Sequence, residues 1–254
     1  MCKPNRRNFI KLNLRGLIGV SACMPFLSDC LGQSTETQQF DWKEFNKRLK
    51  YIADQLNNKE ITEDDYLKLA ADISGRLDTN DAELKTEYAK YKNKHIDFPE
   101  IRKIHGEQTF QISLLEFEPN EEIYLHIWPK LFYDLLDIHD HPGMTGVTHC
   151  IKGNIHVINY DLLPRLWRDP MITQETLGKE VLLREVSNAH MKPGDISTLS
   201  ATHRNIHWLK ANSFSRVIDI FAPPYDYPGR KAMKRFKITD VIDSNYKIYK
   251  AGEV

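Results

Sequence analysis

The sequence predicts a mainly β protein whose strands form a small barrel or sandwich after a helical N-terminal segment. From about Ile96 onward, apolar residues stop recurring at helical spacing and appear instead in short alternating or continuous runs. Turn-forming Pro, Gly and Asn residues separate these runs. Helical periodicity does not return between the runs. Many short strands without intervening helices are typical of a barrel or a sandwich.

Length and composition allow such a core. The chain has 254 residues, of which 41% are hydrophobic, which suits one main domain with attached helices. Lys plus Arg and Asp plus Glu both number 35, so the formal net charge is zero. Because no general positive potential would attract polyanions, we expect small neutral partners and no nucleic acid.

The first part of the chain, residues 1–30, carries the features of a targeting segment. Arg6-Arg7-Asn8-Phe9-Ile10-Lys11 resembles a twin-arginine export signal, and the apolar stretch after it is too short to span a bilayer. Val20-Ser21-Ala22-Cys23 resembles a lipoprotein processing box. We therefore expect export across a bacterial inner membrane to the periplasm. Acylation of Cys23, simple cleavage and a plain basic N-terminus remain open alternatives.

The cysteines give no disulfide framework. Cys2, Cys23 and Cys30 lie in or beside the targeting segment, so the predicted folded part keeps Cys150 alone. A single thiol cannot form an internal disulfide, and stability must come from the core. Because apolar Ile151 follows Cys150 and no basic cluster flanks it, we expect a small buried side chain and not a nucleophile.

Residues 31–40 form a polar linker, and residues 41–95 are predicted to be helical. Apolar residues from Phe45 to Leu56 recur at spacings of three and four, as in an amphipathic helix. Thr62-Glu63-Asp64-Asp65 has the capping pattern that begins a second helix, and a third is predicted over Ala82 to Tyr91. Residue types that bind metals do not cluster in these helices. We therefore expect the helices to pack against the core and to take no part in the chemistry.

The predicted strands lie in residues 96–229, and residues 230–254 form a C-terminal extension that we expect to pack on the barrel. Turn signals such as Lys192-Pro193-Gly194-Asp195 separate the strand patterns. The patterns cover Thr109 to Leu114, Val147 to Tyr160 in part, Val181 to Leu183, Asp195 to Leu199 and Val217 to Phe221.

Two histidines separated by one residue form half of a candidate metal site. In an extended segment alternate side chains leave the same face, so His139 and His141 would point together while Asp140 points away. The best third ligand is His207, which lies far enough along the chain for several strands to return to the same place. His203, four residues earlier, is a rival for the third position.

These segments resemble a known enzyme family. His139-Asp140-His141-Pro142-Gly143-Met144, continuing through Gly153 to Asn159-Tyr160-Asp161, is similar to the plant cysteine oxidase and cysteamine (2-aminoethanethiol) dioxygenase family of thiol dioxygenases. Asn205-Ile206-His207, Val217-Ile218-Asp219 and Pro223-Pro224-Tyr225 resemble the second half of the pattern. The His-Asp-His-Pro-Gly-Met string is specific, and the resemblance covers roughly residues 96–229.

The resemblance implies a cupin, a double-stranded β-helix barrel that holds one non-haem Fe(II) on His139, His141 and His207. Fe(II) is commonly held by two His and one carboxylate, and a third neutral ligand leaves room for the charge of a substrate thiolate. The implied reaction places both atoms of O2 on sulfur and gives a sulfinic acid. Asp219 matches a family acid near the metal, and Tyr225 would line the same mouth. An outward Asp219 and a packed loop Tyr225 remain open as alternatives.

This chain departs from the family after Tyr225. The family continues through a segment that contains Cys and Tyr, whereas this chain reads Gly229-Arg230-Lys231-Ala232-Met233-Lys234-Arg235-Phe236, so a Cys–Tyr cross-link cannot form there. The basic segment either favours a thiol that carries a carboxylate or is simply solvated.

We therefore expect a monomeric, exported, iron-dependent thiol dioxygenase for a small aminothiol or a peptide with an N-terminal cysteine. One alternative is a metal-dependent cupin of another chemistry, such as an isomerase or a non-thiol dioxygenase with Zn, Mn or Ni. Another is a non-catalytic exported cupin that binds a ligand without turnover.

Overall fold

The computed structural model of the protein describes residues 38–91, 109–117, 138–164, 180–224 and 233–253. In this part of the chain there are three helices, namely α1 (Trp42–Asn57), α2 (Glu63–Gly75) and α3 (Ala82–Tyr91). Ten strands follow, namely β1 (Gln111–Phe117), β2 (Ile138–Asp140), β3 (Thr145–Lys152), β4 (Ile155–Leu163), β5 (Glu180–Met191), β6 (Ile196–Leu199), β7 (Ile206–Ala211), β8 (Ser215–Ala222), β9 (Arg235–Asp243) and β10 (Ile248–Glu253).

The helices begin where the sequence predicts them. At the start of α1, Asp41 Oδ1 accepts a hydrogen bond from the backbone N–H of Glu44 at 2.7 Å. At the start of α2, Thr62 and Asp65 form the predicted capping box, in which each side chain accepts from the backbone N–H of the other residue. Each cap satisfies backbone donors that the first helical turn leaves without a partner. The three predicted helices are therefore confirmed.

The strands form two antiparallel sheets. One sheet has four strands in the order β1-β8-β3-β6, and the other closes on itself in the order β10-β5-β4-β7-β2-β9. This arrangement confirms the predicted mainly β cupin fold, and the five strand patterns fall on β1, β3 with β4, β5, β6 and β8.

Residues 233–253 differ from the extension that the sequence suggested, because they supply two strands of the closed sheet. Phe236 is the one buried residue of β9, so this strand lacks the apolar alternation that reveals a half-buried strand.

The two faces of the closed sheet have different roles. Ile138, Tyr160 and Ile206 pack together in an apolar cluster on one face. Because alternate residues of a strand point to opposite faces, His139 and His207 lie on the other face. That second face packs against the four-stranded sheet, where Cys150 and Val217 share a cluster with residues of β4 and β7. The space between the two sheets therefore contains the histidines.

The helices cover the outer face of the four-stranded sheet. Phe45, Leu49 and Tyr66 are fully buried against Ile218 and Ile220 of β8. Each such side chain contributes about 1.5–3 kcal/mol by leaving water. The helical segment thus shares one core with the barrel, as the assignment to packing predicts.

Several predictions concern residues outside the described ranges. They are the export signal within residues 1–30, the acylation of Cys23 and the site role of Tyr225. Among the helices that the structure does describe, none is long and apolar enough to cross a membrane.

Candidate metal centre

Three buried histidines converge between the two sheets. His139 on β2 and His207 on β7 are direct cross-strand partners, and His141 follows the end of β2. Nε2 of His207 lies 3.0 Å from Nε2 of His141 and 3.1 Å from Nε2 of His139. The structure therefore brings the three predicted ligands together. The rival His203 is exposed and does not belong to this group.

Asn205 ties the segment of His141 to the segment of His207. The backbone N–H of His141 donates to the carbonyl oxygen of Asn205 and to its Oδ1, both at 3.1 Å. Nδ2 of Asn205 donates in return to the carbonyl oxygen of His141 at 2.8 Å. The chain then turns at Gly143, whose φ of 68° lies in the left-handed region that favours glycine. These contacts hold two ligands from distant parts of the chain in register.

Phe221 fixes the ring plane of His141. The two rings stack with centroids 4.4 Å apart and an interplanar angle of 16°. Gly146 on β3 is the cross-strand partner of Phe221, and a Cβ at this position would lie 2.4 Å from Phe221 Cδ1 and 2.5 Å from the Ile220 carbonyl oxygen. Glycine at 146 therefore leaves the space that the Phe221 ring occupies beside the site.

Burial keeps the histidines in the form that binds metals. Desolvation, together with a smaller effect of the positive charge of Arg235, lowers the pKa of His139 to about 4. Desolvation also lowers the pKa of His207 well below its ordinary value, and His139 adds to this effect. The imidazoles of both residues are therefore neutral at pH 7, with lone pairs available for a cation.

The spacing of the nitrogens fits a metal ion. A hydrogen bond from one Nε2–H can reach only one neighbouring nitrogen. A cation at the centre could instead be bound by the lone pairs of all three Nε2 atoms. With metal–nitrogen bonds of about 2.1 Å, two ligands lie roughly 3.0 Å apart at a right angle and roughly 3.4 Å apart at a tetrahedral angle. The observed 3.0 and 3.1 Å from His207 Nε2 to the other two Nε2 atoms match the separation at a right angle. His139, His141 and His207 can thus hold a divalent transition metal.

Polar side chains continue from the histidines across the facing sheet. Within each sheet, neighbouring residues of this set are direct cross-strand partners, and such partners lie on the same face of their sheet. Between the sheets, Ser197 Oγ donates to Asn159 Oδ1 at 3.2 Å. We call this set the polar row, and it comprises Ser113, Asp219, Thr148, Ser197, Asn159, His207, His139 and Arg235.

Asp219 points inward, which is one of the two orientations left open by strand alternation. Phe221, two residues further along β8, stacks on His141 and therefore lies on the inner face of its sheet. Residues two apart on a strand share a face, so Asp219 lies on the inner face as well. Asp219 is 6% exposed, and burial, partly offset by a hydrogen bond with the Thr148 side chain, raises the pKa of its carboxyl group to about 7. Its Oδ1 has no hydrogen-bond partner among the described residues. This carboxyl group can therefore hold or release a proton near neutral pH.

Cys150 behaves as a core side chain. It is fully buried, and burial raises the pKa of its thiol to about 11. The thiol is therefore protonated at pH 7 and unsuited to nucleophilic chemistry.

The sequence interpretation assigned no site role to five residues of the polar row, namely Ser113, Thr148, Asn159, Ser197 and Arg235. Thr148 and Asn159 are buried polar residues on strands whose other inward positions are mostly apolar, and Nδ2 of Asn159 has no partner among the described residues. The available signal was a polar residue at an inward-facing position of a mostly apolar strand. That signal indicates a site only when the structure shows that both strands lie beside the histidines.

A two-sheet β-barrel with three histidines between its sheets defines a cupin with an all-imidazole candidate metal site. A family model described as PCO_ADO matches residues 68–245. The chain belongs to this family, the plant cysteine oxidase and cysteamine dioxygenase family of thiol dioxygenases.

Known relatives share part of the chain. Plant cysteine oxidase 2 from Arabidopsis thaliana is 30% identical over 96 residues, which are 37% of this chain and 33% of that protein, so the match spans about a third of the relative's length. The structure of KdgF from Halomonas sp. has 17% identity and a TM-score of 0.28 over 46% of this chain and 71% of that one. An RmlC-like cupin from Shewanella frigidimarina has 16% identity and a TM-score of 0.28 over 46% and 68%. These two likenesses concern the fold alone.

Proposed function

We propose that the protein is a non-haem Fe(II) thiol dioxygenase that oxidises a small aminothiol or an N-terminal cysteine to the sulfinic acid with O2. The observation that carries this proposal is the convergence of three buried histidine nitrogens in a chain of the thiol dioxygenase family. Bound Fe(II) supplies the one-electron chemistry through which O2 reacts with a thiol. Both oxygen atoms end on sulfur, so no external reductant is needed.

The neutral histidines prepare the site for an anionic thiolate. A carboxylate ligand would repel the incoming negative charge, whereas His139 and His207 carry none at neutral pH. Asp219, whose pKa is about 7, can accept the proton that the thiol loses and hold it on its carboxyl group. The buried side chains of Met144, Leu199 and Phe221 pack together beside His141 and exclude water from that side.

Oxygen consumption with a panel of thiols tests the proposal. Protein loaded with Fe(II) should consume one O2 per thiol oxidised when it is given cysteamine, cysteine or a peptide that begins with cysteine, and mass spectrometry should detect the sulfinate. Protein loaded with Zn(II) is the matched control and should consume none, because Zn(II) has no redox chemistry. Absence of sulfinate from every thiol in the panel would refute the proposed activity.

We also propose that the protein is exported by the twin-arginine route. The support is the segment Arg6-Arg7-Asn8-Phe9-Ile10-Lys11. Replacing both Arg6 and Arg7 by lysine should retain the full chain in the cytoplasm, whereas Arg15→Lys, outside the pair, should not. Immunoblots of periplasmic and cytoplasmic fractions measure this, and equal export of both variants would contradict the proposal. Labelling with radioactive palmitate, lost in Cys23→Ser, would reveal a lipid anchor.

A further inference from the structure

Asn159 carries a buried hydrogen-bond donor beside the histidines. It is the cross-strand partner of His207, so the two side chains lie on the same face of the closed sheet, with Cβ atoms about 4.5–5.5 Å apart. Only 1% of Asn159 is exposed. Ile155 and Val157, the two preceding residues on this face of β4, are apolar and belong to the cluster between the two sheets. Asn159 therefore places a polar amide at the point where this apolar face meets the histidines.

Ser197 fixes the position of the Asn159 amide. It lies on β6 of the facing sheet, and its Oγ donates to Asn159 Oδ1 at 3.2 Å. This hydrogen bond uses the acceptor end of the amide and holds the group in the space between the two sheets. Nδ2, at the donor end, is buried and has no hydrogen-bond partner among the described residues. Because an unpaired buried amide donor is costly, native proteins nearly always supply an acceptor for it.

The described residues of the site do not supply that acceptor. A histidine that binds a metal through Nε2 carries its proton on Nδ1, so neither ring nitrogen of His207 can accept a hydrogen bond. Oδ1 of Asp219 also has no partner among the described residues, so it does not accept from Asn159. The Asn159 donor is therefore available to a ligand that enters the space beside the histidines.

We propose that Asn159 Nδ2 donates a hydrogen bond to the thiolate sulfur of the substrate bound beside the histidines. A hydrogen bond to a charged acceptor is roughly twice as strong as one between neutral groups. The contact stabilises the thiolate relative to the thiol, so it favours loss of the proton that Asp219 can accept. Small aminothiols and N-terminal cysteines share this sulfur. The inference rests on the proposed thiol dioxygenase function and adds a residue that contacts the reacting atom.

Binding without turnover tests this contact. The full chain, loaded with Co(II) under argon, is titrated with cysteamine, and the sulfur-to-cobalt charge-transfer band reports the dissociation constant. Asn159→Leu keeps the approximate size of the side chain but removes the donor, so cysteamine should bind roughly 10- to 100-fold more weakly. The band should also move to longer wavelength, because the sulfur loses a hydrogen bond that lowers the energy of its lone-pair electrons.

Ser197→Ala is a second variant that leaves the Asn159 side chain in place. It removes the hydrogen bond that fixes the amide, so both the loss of affinity and the shift of the band should have the same direction as in Asn159→Leu and be smaller.

Asn188→Leu is the matched control. Asn188 is exposed and is the cross-strand partner of Ile158, so it lies on the opposite face of the closed sheet from Asn159, and its replacement should change neither affinity nor band. A band at the wild-type wavelength in Asn159→Leu, or in Ser197→Ala where the leucine variant does not fold, would overturn the contact and leave the dioxygenase proposal intact. Failure of the wild type to bind any thiol would overturn both.

Discussion

Replacing His207 by alanine should remove bound iron and abolish thiol-dependent oxygen consumption. Nε2 of His207 lies within 3.1 Å of the Nε2 atoms of both other candidate ligands. Its loss leaves two histidines, which are too few to hold the ion tightly. Loss of a residue that merely orients a ligand already costs 10–100-fold in metal affinity, and loss of the ligand itself should cost more than roughly 100-fold. Elemental analysis of the purified protein and an oxygen electrode measure the two effects.

His203→Ala provides the matched control. It removes an imidazole four residues earlier, from an exposed position outside the histidine group. We expect it to retain wild-type iron content and oxygen consumption. Circular dichroism should show that both variants keep the β fold, which separates metal loss from unfolding. Iron retained by His207→Ala and lost by His203→Ala would show that the third ligand has been assigned to the wrong residue.

Replacing Asp219 by asparagine should have the second largest effect, and it should act on both turnover and stability. Asparagine is similar in size but cannot take up the thiol proton, so kcat should fall and the dependence of rate on pH near 7 should flatten. Rate profiles between pH 5.5 and 8.5, roughly the range around a pKa of 7, measure this. An unchanged profile would show that Asp219 has no role in proton transfer.

The same substitution changes the pH dependence of stability. The Asp219 pKa is about 7 in the folded protein against an ordinary value of 3.8, so between these values the folded state binds more protons than the unfolded state. Stability from this group is therefore fully present below about pH 4 and is lost as pH rises to about 7. The loss should be on the order of 4 kcal/mol, since the pKa differs by about three between the two states and each unit is about 1.4 kcal/mol.

Urea unfolding of the metal-free wild type and of metal-free Asp219→Asn isolates this contribution. As pH rises from 4 to 7, the wild type should lose stability relative to the variant, because only the wild type has the Asp219 carboxyl group. The buried histidines are present in both proteins, so their titration cancels in the difference between the two unfolding free energies. Asp240→Asn, at an exposed position of β9, is the matched control for the loss of one carboxyl group. A constant difference across this range would contradict a raised pKa for Asp219.

Much of the fold could be predicted because the informative signals are local. The capping residues Thr62 and Asp65 interact within one helical turn, and the short runs of apolar residues in β1 and β8 reflect strands that are mostly buried. The strands β9 and β10 escaped prediction for the opposite reason. Their residues are mostly exposed or half-buried, so their place in the closed sheet comes from backbone pairing, which leaves little trace in side-chain pattern.

The candidate site divides in the same way. His139 and His141 could be paired from their spacing alone, since a strand repeats its side-chain direction every second residue. His207 was the better of two candidates for the third ligand, and the family resemblance supported it, but spacing alone does not exclude His203. Asn159 and Arg235 could not be placed beside the ligands from sequence, because each is brought there by the pairing of a different strand.

By itself, therefore, the sequence determined the helical segment, the mainly β class, the histidine pair and, through its motifs, the family. Only the tertiary structure decided that Asp219 points inward, that His207 and not His203 joins the pair, and that Arg235 shares a face with His139. The physical reason is that periodicity records which residues of one strand share a face, whereas the register between strands depends on packing and hydrogen bonds among residues far apart in the chain.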